Sequence, residues 1–275
     1  MKSPNKSSSL DPLPTQLLKQ CIDILIPVIT EIINKSLKSG CFPDILKNAI
    51  VTPIMKNYKS GTIYTNYRPI SNLPFLSKII EKAVLTQCIP FLQSTEKFAQ
   101  NNSAYKKYHS TETLLTKISS DIVTNISNKQ ITMLVLLDLS AAFDSVNHST
   151  LIDILRNRFN VQSAVLSWFK SFFQDRSQRI RINNSFSKKL DIHTGVPQGS
   201  CIGPVAFLIY VSALSEIANR HGISLQSYAD DTQIYISTTP SKSHLHSKLQ
   251  ILQQCLDEII TFLLTHQLQL NDSKT

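Results

Sequence analysis

The sequence predicts an α+β fold in which a small antiparallel sheet packs on helices. One stretch, ITMLVLLDLS (131–140), is an almost continuous apolar run of strand length. Further along the chain, ISLQSY and TQIYIS flank Ala229-Asp230-Asp231 as the two strands of a hairpin. Most other apolar residues recur at the three- and four-residue spacing of an amphipathic helix. A few strands among many helices therefore define the fold class.

The first part of the chain is predicted to be mainly helical. Apolar residues at helical spacing indicate two helices, which are interrupted at Pro27 and end near Gly40. Residues 48–57 are predicted to form a strand, which is followed by a polar loop that ends at 66–74. Two helices are predicted next, over 77–92 and over 110–126, and Ser110 or Thr111 is the expected N-cap of the second.

The second part alternates strands and helices. The apolar run 131–140 predicts a strand buried on both faces, with Asp138 near its carboxyl end. The remaining elements are predicted as helices in HSTLIDILRNRF and VLSWFKSFF, a basic strand in RSQRIRIN, a loop and one apolar helix in GVPQGSCIGPVAFLIYVSAL, the hairpin, and a helix from about Ser243 to Thr265.

The composition points to a polyanionic partner. The chain of 275 residues carries 28 Lys and Arg against 19 Asp and Glu, a formal net charge of +9, and such an excess is typical of proteins that bind nucleic acid. Five scattered cysteines without zinc spacing predict free thiols and no structural zinc. The N-terminus lacks an apolar leader, and the runs 131–137 and 204–214 are too short for a bilayer, so we expect neither secretion nor a membrane partner.

Three aspartates are candidates for a metal site. Asp138 ends a predicted strand, whereas Asp230 and Asp231 lie in the predicted hairpin turn. If these strands are neighbours in one sheet, the carboxylates lie close together, and divalent cations relieve their mutual repulsion. Hard oxygen ligands without nearby His or Cys favour Mg²⁺, and two such ions can drive phosphoryl transfer. The alternative interpretation is an ordinary turn and a strand-ending acid.

A glycine-bearing loop is a second candidate binding element. GVPQGSCIGP holds Gly195, Gly199 and Gly203, three of the six glycines in the chain. Glycine lets the backbone approach a ligand closely, and the amide of Gln198 can hydrogen-bond a base or a sugar. The alternative is a plain loop that leads into a helix.

Four motifs in fixed order resemble the reverse transcriptases of LINE-type non-LTR retrotransposons: YRPISNLPFLSKIIEK, LVLLDLSAAFDSVNH, GVPQGSCIGP and YADDTQIYIS. The resemblance covers about Ser9 to Thr275 and implies a right-hand polymerase fold. It divides the chain into an N-terminal helical extension (1–50), fingers (51–130) and a palm (131–275), and we expect the thumb to be absent. One departure is Ala104-Tyr105-Lys106, where the family often has Gly-Phe-Arg.

The resemblance assigns a role to each candidate residue. Asp138, Asp230 and Asp231 are the expected catalytic residues and the ligands of two Mg²⁺ ions, for which Mn²⁺ can substitute. Phe143 matches the bulky residue that closes on the sugar and excludes a 2′-hydroxyl. Lys274 matches a lysine proposed to protonate the departing pyrophosphate. The remaining nucleotide-binding residues are Lys56 and Arg68 for the triphosphate, and Gln198 and Gly199 for nucleotide and template.

The activity that this resemblance implies is RNA-directed DNA polymerisation from dNTPs on a DNA primer and an RNA template. One alternative is a truncated, catalytically inactive relic that binds RNA. Another two-metal enzyme, such as an RNA-dependent RNA polymerase or a nuclease, is disfavoured by Phe143 and by the basic Lys56 and Arg68 segments. The family's action on chromosomal targets implies the nucleus, with a cytoplasmic ribonucleoprotein stage.

Overall fold

The computed structural model describes residues 8–56, 66–98, 101–271 and 273–275. The chain forms two compact units, each assembled from two stretches that are distant in sequence. Unit 1 comprises Met1–Phe91 with Asn147–Gly203, and unit 2 comprises Leu92–Val146 with Pro204–Thr275. The boundaries predicted at residues 50 and 130 stay predictions.

Helices and strands together confirm the α+β class. The helices are α1 (Thr15–Gln20), α2 (Ile22–Ser39), α3 (Phe75–Ser94), α4 (Thr111–Ser127), α5 (His148–Asn157), α6 (Ser163–Phe173), α7 (Ile202–Tyr210), α8 (Leu214–Arg220) and α9 (Lys242–Thr265). The strands are β1 (Asn48–Met55), β2 (Tyr67–Asn72), β3 (Ile131–Leu137), β4 (Leu139–Ser140), β5 (Arg176–Ile182), β6 (Ser185–Phe186), β7 (Leu190–Ile192), β8 (Ser224–Tyr228), β9 (Asp231–Thr238) and β10 (Gln269–Leu270).

The sheet of unit 1 has the strand order β2-β1-β5-β6, and β7 also pairs with β5. The β1–β5 pair is parallel, whereas β2, β6 and β7 pair in antiparallel fashion. The sequence placed β2 in a loop, and this assignment is wrong. Pro69 lies opposite Pro53 in the β1–β2 ladder, and because proline cannot donate a ladder hydrogen bond, its presence concealed the strand signal.

An aromatic core supports unit 1. Trp168 on α6 stacks on Phe172 and meets Phe42 edge to face, and its indole N–H donates to Ser36 Oγ on α2 at 2.9 Å. The break between the two N-terminal helices lies at Cys21 and not, as predicted, at Pro27, which is inside α2. Helix α2 ends where the sequence predicted, at Gly40, which has φ +65°. A side chain at Gly40 would approach the carbonyl oxygen of Ala164 to 2.9 Å, so glycine also permits the close approach of α6.

The sheet of unit 2 is antiparallel with the order β3-β9-β8. The prediction that β3 is buried on both faces is wrong, since Leu134 and Leu136 are 42% and 54% exposed. Leu134 pairs with Tyr235 and therefore shares its face. Helix α4 packs on Tyr235 and leaves β3, the edge strand, partly uncovered.

The apolar segment after the glycine loop is not one helix, as predicted, but two. Between α7 and α8 the chain makes tighter turns, in which the N–H groups of Ser212 and Leu214 donate to carbonyls three residues earlier. Within the described residues, Ile202–Arg220 is apolar enough to cross a membrane by length and composition, contrary to our expectation from the shorter run. Because 67% of its apolar window is buried within the protein, the stretch has the burial expected of core helices.

Other predictions for unit 2 are confirmed. The hairpin consists of β8 and β9, and the long final helix is α9. Ser110 caps α4 in a capping box, with its Oγ accepting from the Thr113 N–H and Thr113 Oγ1 accepting from the Ser110 N–H. Strand β10, which the sequence did not predict, pairs with β4 directly after Asp138.

Candidate active site

The sheet register of unit 2 brings the three candidate carboxylates to one end of neighbouring strands. Leu137 at the end of β3 pairs with Thr232 on β9. Asp138 directly follows Leu137, and Asp231 directly precedes Thr232, so both aspartates lie at the end of this antiparallel ladder. Tyr228 pairs with Asp231, so Ala229 and Asp230 form a two-residue hairpin turn. The backbone proximity expected from the sequence is therefore present.

The turn that carries Asp230 is strained. Ala229 has φ +58°, in the left-handed region that costs an alanine roughly 1–2 kcal/mol. Tight hairpin turns favour glycine or asparagine at such positions. Partial burial and, next, the negative charge of Asp230 raise the pKa of Tyr105. A strained backbone position next to a candidate catalytic group is a common feature of functional sites.

Asp138 is held by the last residues of the chain. Asn271 donates from Nδ2 to Asp138 Oδ2 at 2.8 Å and from its backbone N–H to the Asp138 carbonyl oxygen at 2.8 Å. The ammonium of Lys274 lies 3.6 Å from the same Oδ2 atom. One carboxylate oxygen of Asp138, an expected metal ligand, therefore faces the positive charge of Lys274.

The carboxylates fit divalent cations in donor type and in backbone placement. All three offer the hard oxygen atoms that Mg²⁺ prefers, and the register sets them at one end of the sheet. Within the described ranges, however, no group of three His, Cys, Asp or Glu side chains converges on a point that could hold an ion. One oxygen of Asp138 instead contacts Asn271 and Lys274.

Phe143 lies five residues after Asp138, in the turn that follows β4. Its ring stacks on Phe207 with a centroid distance of 4.8 Å and an interplanar angle of 29°. Phe207 is fully buried, whereas Phe143 is only half-buried. The contact fixes the orientation of the Phe143 ring and leaves part of it accessible to a ligand.

Lys56 and Arg68 lie on one face of the β1–β2 hairpin in unit 1. Arg68 pairs with Ile54, and the Lys56 N–H donates to the Asn66 carbonyl oxygen at 2.8 Å. Residues two apart on a strand share a face, so the two basic residues are diagonal neighbours across the ladder. Both are exposed and can contact the same anionic ligand.

The glycine loop is fixed to strand β2. The Ser71 N–H donates to the Gln198 carbonyl oxygen at 2.8 Å. Gly199 has φ +136°, and a Cβ atom there would lie 2.3 Å from the Ser71 carbonyl oxygen. Glycine at position 199 thus lets the loop approach the β2 backbone closely. This contact holds Gln198 close to β2, the strand that carries Arg68.

A buried carboxylate that sequence reasoning missed organises the other end of this loop. Glu81 on α3 is fully buried and accepts hydrogen bonds from Ser77 Oγ (2.8 Å), Ser200 Oγ (2.6 Å) and the N–H groups of Cys201 (2.6 Å) and Ile202 (3.1 Å). It therefore caps the start of α7. The signal in the sequence was an acid at helical spacing from Ser77, among the apolar residues of SKIIEKAV.

Two further residues of unit 1 are partly or fully buried, His148 partly and Arg176 fully. His148 donates from Nε2 to the Gly195 carbonyl oxygen at 2.7 Å, and burial, reinforced by the charges of Arg176 and His193, lowers the pKa of its imidazole. Arg176 donates to the Phe172 carbonyl oxygen at 2.9 Å. Burial lowers the pKa of Arg176 to about 10, although the negative charge of Glu81 opposes the shift.

Comparison with known proteins identifies the family of the chain. Residues 54–275 match the family model described as "Reverse transcriptase (RNA-dependent DNA polymerase)". The chain is 28% identical over 258 residues to the RNA-directed DNA polymerase from mobile element jockey of Drosophila melanogaster, covering 92% of this chain and 27% of that protein. It is 27% identical over 238 residues to the probable RNA-directed DNA polymerase from transposon BS of the same species, covering 85% and 26%. The chain thus spans about a quarter of the length of these relatives.

Solved structures support the fold. Apo telomerase from Candida tropicalis matches with a TM-score of 0.55 at 13% identity, over 83% of this chain and 44% of that one. A form of the same telomerase truncated from the C-terminal domain matches with a TM-score of 0.52 at 14% identity, over 79% and 48%. These similarities show the right-hand polymerase fold that the sequence resemblance implied.

Proposed function

The chain belongs to the reverse transcriptase (RNA-dependent DNA polymerase) family, and on this premise we propose that it transfers deoxynucleotides from dNTPs to the 3′-hydroxyl of a DNA primer on an RNA template. The observation that carries the proposal is the β3–β9 ladder, which ends at Leu137 and Thr232 and leaves Asp138 and Asp231 at the same end of neighbouring strands, with Asp230 in the adjoining turn. The mobile elements named among the relatives support an origin in a non-LTR retrotransposon.

Asp138, Asp230 and Asp231 would hold two Mg²⁺ ions, or Mn²⁺ in their place. Such ions, when bound, stabilise the attacking and leaving oxygens of a phosphoryl transfer. The role of the protein would be to hold these carboxylates in place through the β3–β9 ladder and the two-residue turn. Lys274, whose ammonium lies near Asp138, would supply a proton to the departing pyrophosphate.

The basic pair of unit 1 would bind the triphosphate. Lys56 offers a compact charge and Arg68 a guanidinium that can bind two phosphate oxygens at once. Gln198 and Gly199, fixed to Ser71, would contact nucleotide and template. Phe143 would pack against the sugar, where a bulky ring leaves no room for a 2′-hydroxyl.

An exposed basic hairpin supports binding of the RNA template. Strands β5 and β6 and the residues after them carry Arg179, Arg181, Lys188 and Lys189. The Arg181 guanidinium lies 5.7 Å from the ring centroid of the exposed Phe186, a combination of charge and aromatic surface suited to single-stranded nucleic acid. If Lys188 and Lys189 each neutralise one phosphate, replacing both by Gln would reduce the slope of log affinity against log salt by roughly 1.4.

We further propose a nuclear site of action on chromosomal targets, reached through a cytoplasmic ribonucleoprotein. Support comes from the resemblance to retrotransposon polymerases. Localisation of the tagged chain by fluorescence microscopy tests this part separately from the enzymatic activity.

Primer extension on an RNA template tests the activity. The parent chain should extend the primer with dNTPs in Mg²⁺ and exclude ribonucleotides, whereas Phe143→Ala should accept both. A matched variant, Phe143→Tyr, keeps the ring and should keep the discrimination. RNA binding without any incorporation would contradict the proposal and identify a relic.

A further inference from the structure

A buried asparagine binds the turn that carries Asp230 and directly precedes Asp231, the first residue of β9. Asn102 is only 5% exposed, and its Oδ1 atom accepts hydrogen bonds from the Ala229 N–H at 3.0 Å and from Ser227 Oγ at 3.4 Å. Its Nδ2 group donates to the Ala104 carbonyl oxygen at 2.7 Å. Both ends of the carboxamide are therefore occupied, and the side chain has a fixed orientation.

The backbone around Asn102 lies along the outer edge of β8. The Ser103 N–H donates to the Ser227 carbonyl oxygen at 2.9 Å, and the Ser227 N–H donates to the Asn101 carbonyl oxygen at 2.8 Å. Asn102 and Ser227 thus form a parallel bridge next to the turn. This short segment fixes the distance between Asn102 and Ala229.

The turn requires such a partner. In a two-residue hairpin turn, the N–H of the first turn residue has no partner in the ladder between the strands. Here that residue is Ala229, held at φ +58° without the freedom of a glycine. The Oδ1 atom of Asn102 satisfies this N–H and thereby favours the strained conformation.

We propose that Asn102 is a positioning residue of the polymerase site, which orients Asp230 and Asp231 by holding Ala229 in its left-handed conformation. The inference rests on the proposed function in assigning these aspartates to catalysis. The hydrogen bond itself can be tested without catalysis, so the two proposals can fail separately.

Hydrogen exchange followed by NMR tests the contact in the full chain. The Ala229 amide should be protected in the parent and should exchange at least about tenfold faster in Asn102→Ala, since a lost hydrogen bond of ordinary net strength corresponds to about that factor. Asn101→Ala is the matched control, because Asn101 contributes a backbone carbonyl to this bridge, and it should leave the Ala229 amide protected. Equal exchange in the parent and Asn102→Ala would overturn the proposal.

A second substitution, at Ala229, tests whether Asn102 acts by positioning this residue or by supporting the fold in general. Asn102→Ala should lower primer extension about tenfold or more, whereas the double variant Asn102→Ala with Ala229→Gly should recover to within a few fold of Ala229→Gly alone, because glycine adopts φ +58° without strain. No recovery would contradict a role through Ala229. If Asn102→Ala does not fold, hydrogen exchange of the Ala229 amide in the parent chain tests the proposal. An unprotected Ala229 amide there would overturn it.

Discussion

Lys274 places its ammonium nitrogen 3.6 Å from Oδ2 of Asp138, which directly follows the Leu137–Thr232 pair at the end of the β3–β9 ladder. A protein cation thus lies close to an oxygen that we assign to a metal. The Lys274 side chain is largely exposed, with 67% of its area accessible, and ion pairs of this kind contribute little to stability. The lysine can therefore yield the carboxylate to a divalent ion at small cost.

Replacing Lys274 should separate metal binding from turnover. Lys274→Gln is expected to strengthen Mg²⁺ binding by at most about fivefold, since an exposed pair is worth up to roughly 1 kcal/mol, and to slow incorporation because the proposed proton donor is lost. Calorimetric Mg²⁺ titration and single-turnover extension measure the two effects. Lys248→Gln on α9 is the control and should change neither. Weaker metal binding in Lys274→Gln would contradict the competition between lysine and metal.

Gly199 should be intolerant of any side chain. Gly199→Ala would place a Cβ atom 2.3 Å from the Ser71 carbonyl oxygen at φ +136°, and combined overpacking and backbone strain should lower the free energy of unfolding by about 3 kcal/mol or more. Gly222→Ala is the matched control, since its φ is +64° and no atom lies within 4 Å of the added Cβ. The control should lose only about 1 kcal/mol. Equal losses in urea unfolding would refute the packing argument.

Glu81 should stabilise unit 1 as a buried hydrogen-bond acceptor. Glu81→Gln replaces one acceptor by an NH₂ group that faces donors from Ser200 and Cys201 and removes a negative charge near buried Arg176. We expect a loss of about 3 kcal/mol in the free energy of unfolding. Exposed Glu112, in the first turn of α4, is the control, and Glu112→Gln should cost less than about 1 kcal/mol. A loss no greater than that of the control would be incompatible with the capping role.

Stability should fall on mild acidification through His148. Burial lowers the pKa of the folded imidazole below the value of about 6.5 expected in the unfolded chain. Above that pH the imidazole is neutral in both states, and its contribution is fully present. As the pH falls toward the folded pKa, the unfolded chain binds a proton first and the contribution is lost.

Urea unfolding between pH 7.5 and pH 5, in roughly the range where imidazoles titrate, measures this loss. His148→Asn should flatten the decline in the free energy of unfolding, whereas replacement of exposed His246 by Asn should leave it unchanged. An identical pH dependence in parent and His148→Asn would exclude the His148 imidazole as its source.

Local pattern was sufficient to predict most elements and the backbone placement of the carboxylates. The hairpin around Asp230 follows from β-branched and aromatic residues on either side of two acids, and the strand before Asp138 follows from its apolar run. The structure contains both strands as neighbours. The chemical roles of these residues, and those of Lys56, Arg68 and Phe143, stay predictions.

Contacts between residues distant in sequence could not be predicted in this way. Glu81 meets the loop at Ser200, and Asn102 meets Ala229, and no local pattern links either pair. The edge position of β3, which leaves Leu136 exposed, depends on where α4 packs. Hydrophobic periodicity reports which residues prefer burial, but it does not report which element covers them.

Primer extension by the parent chain and by Asp230→Ala, on an RNA template with Mg²⁺ or Mn²⁺, tests the central claim most directly. We expect incorporation of dNTPs by the parent and its loss by a factor of about 10³ or more in the variant, because a site with one metal-binding carboxylate removed no longer stabilises the transferring phosphoryl group. Asp257→Ala on α9, remote in sequence from the hairpin, controls for general effects of removing an acid. Full activity in Asp230→Ala, with the parent active, would contradict the assignment of the site.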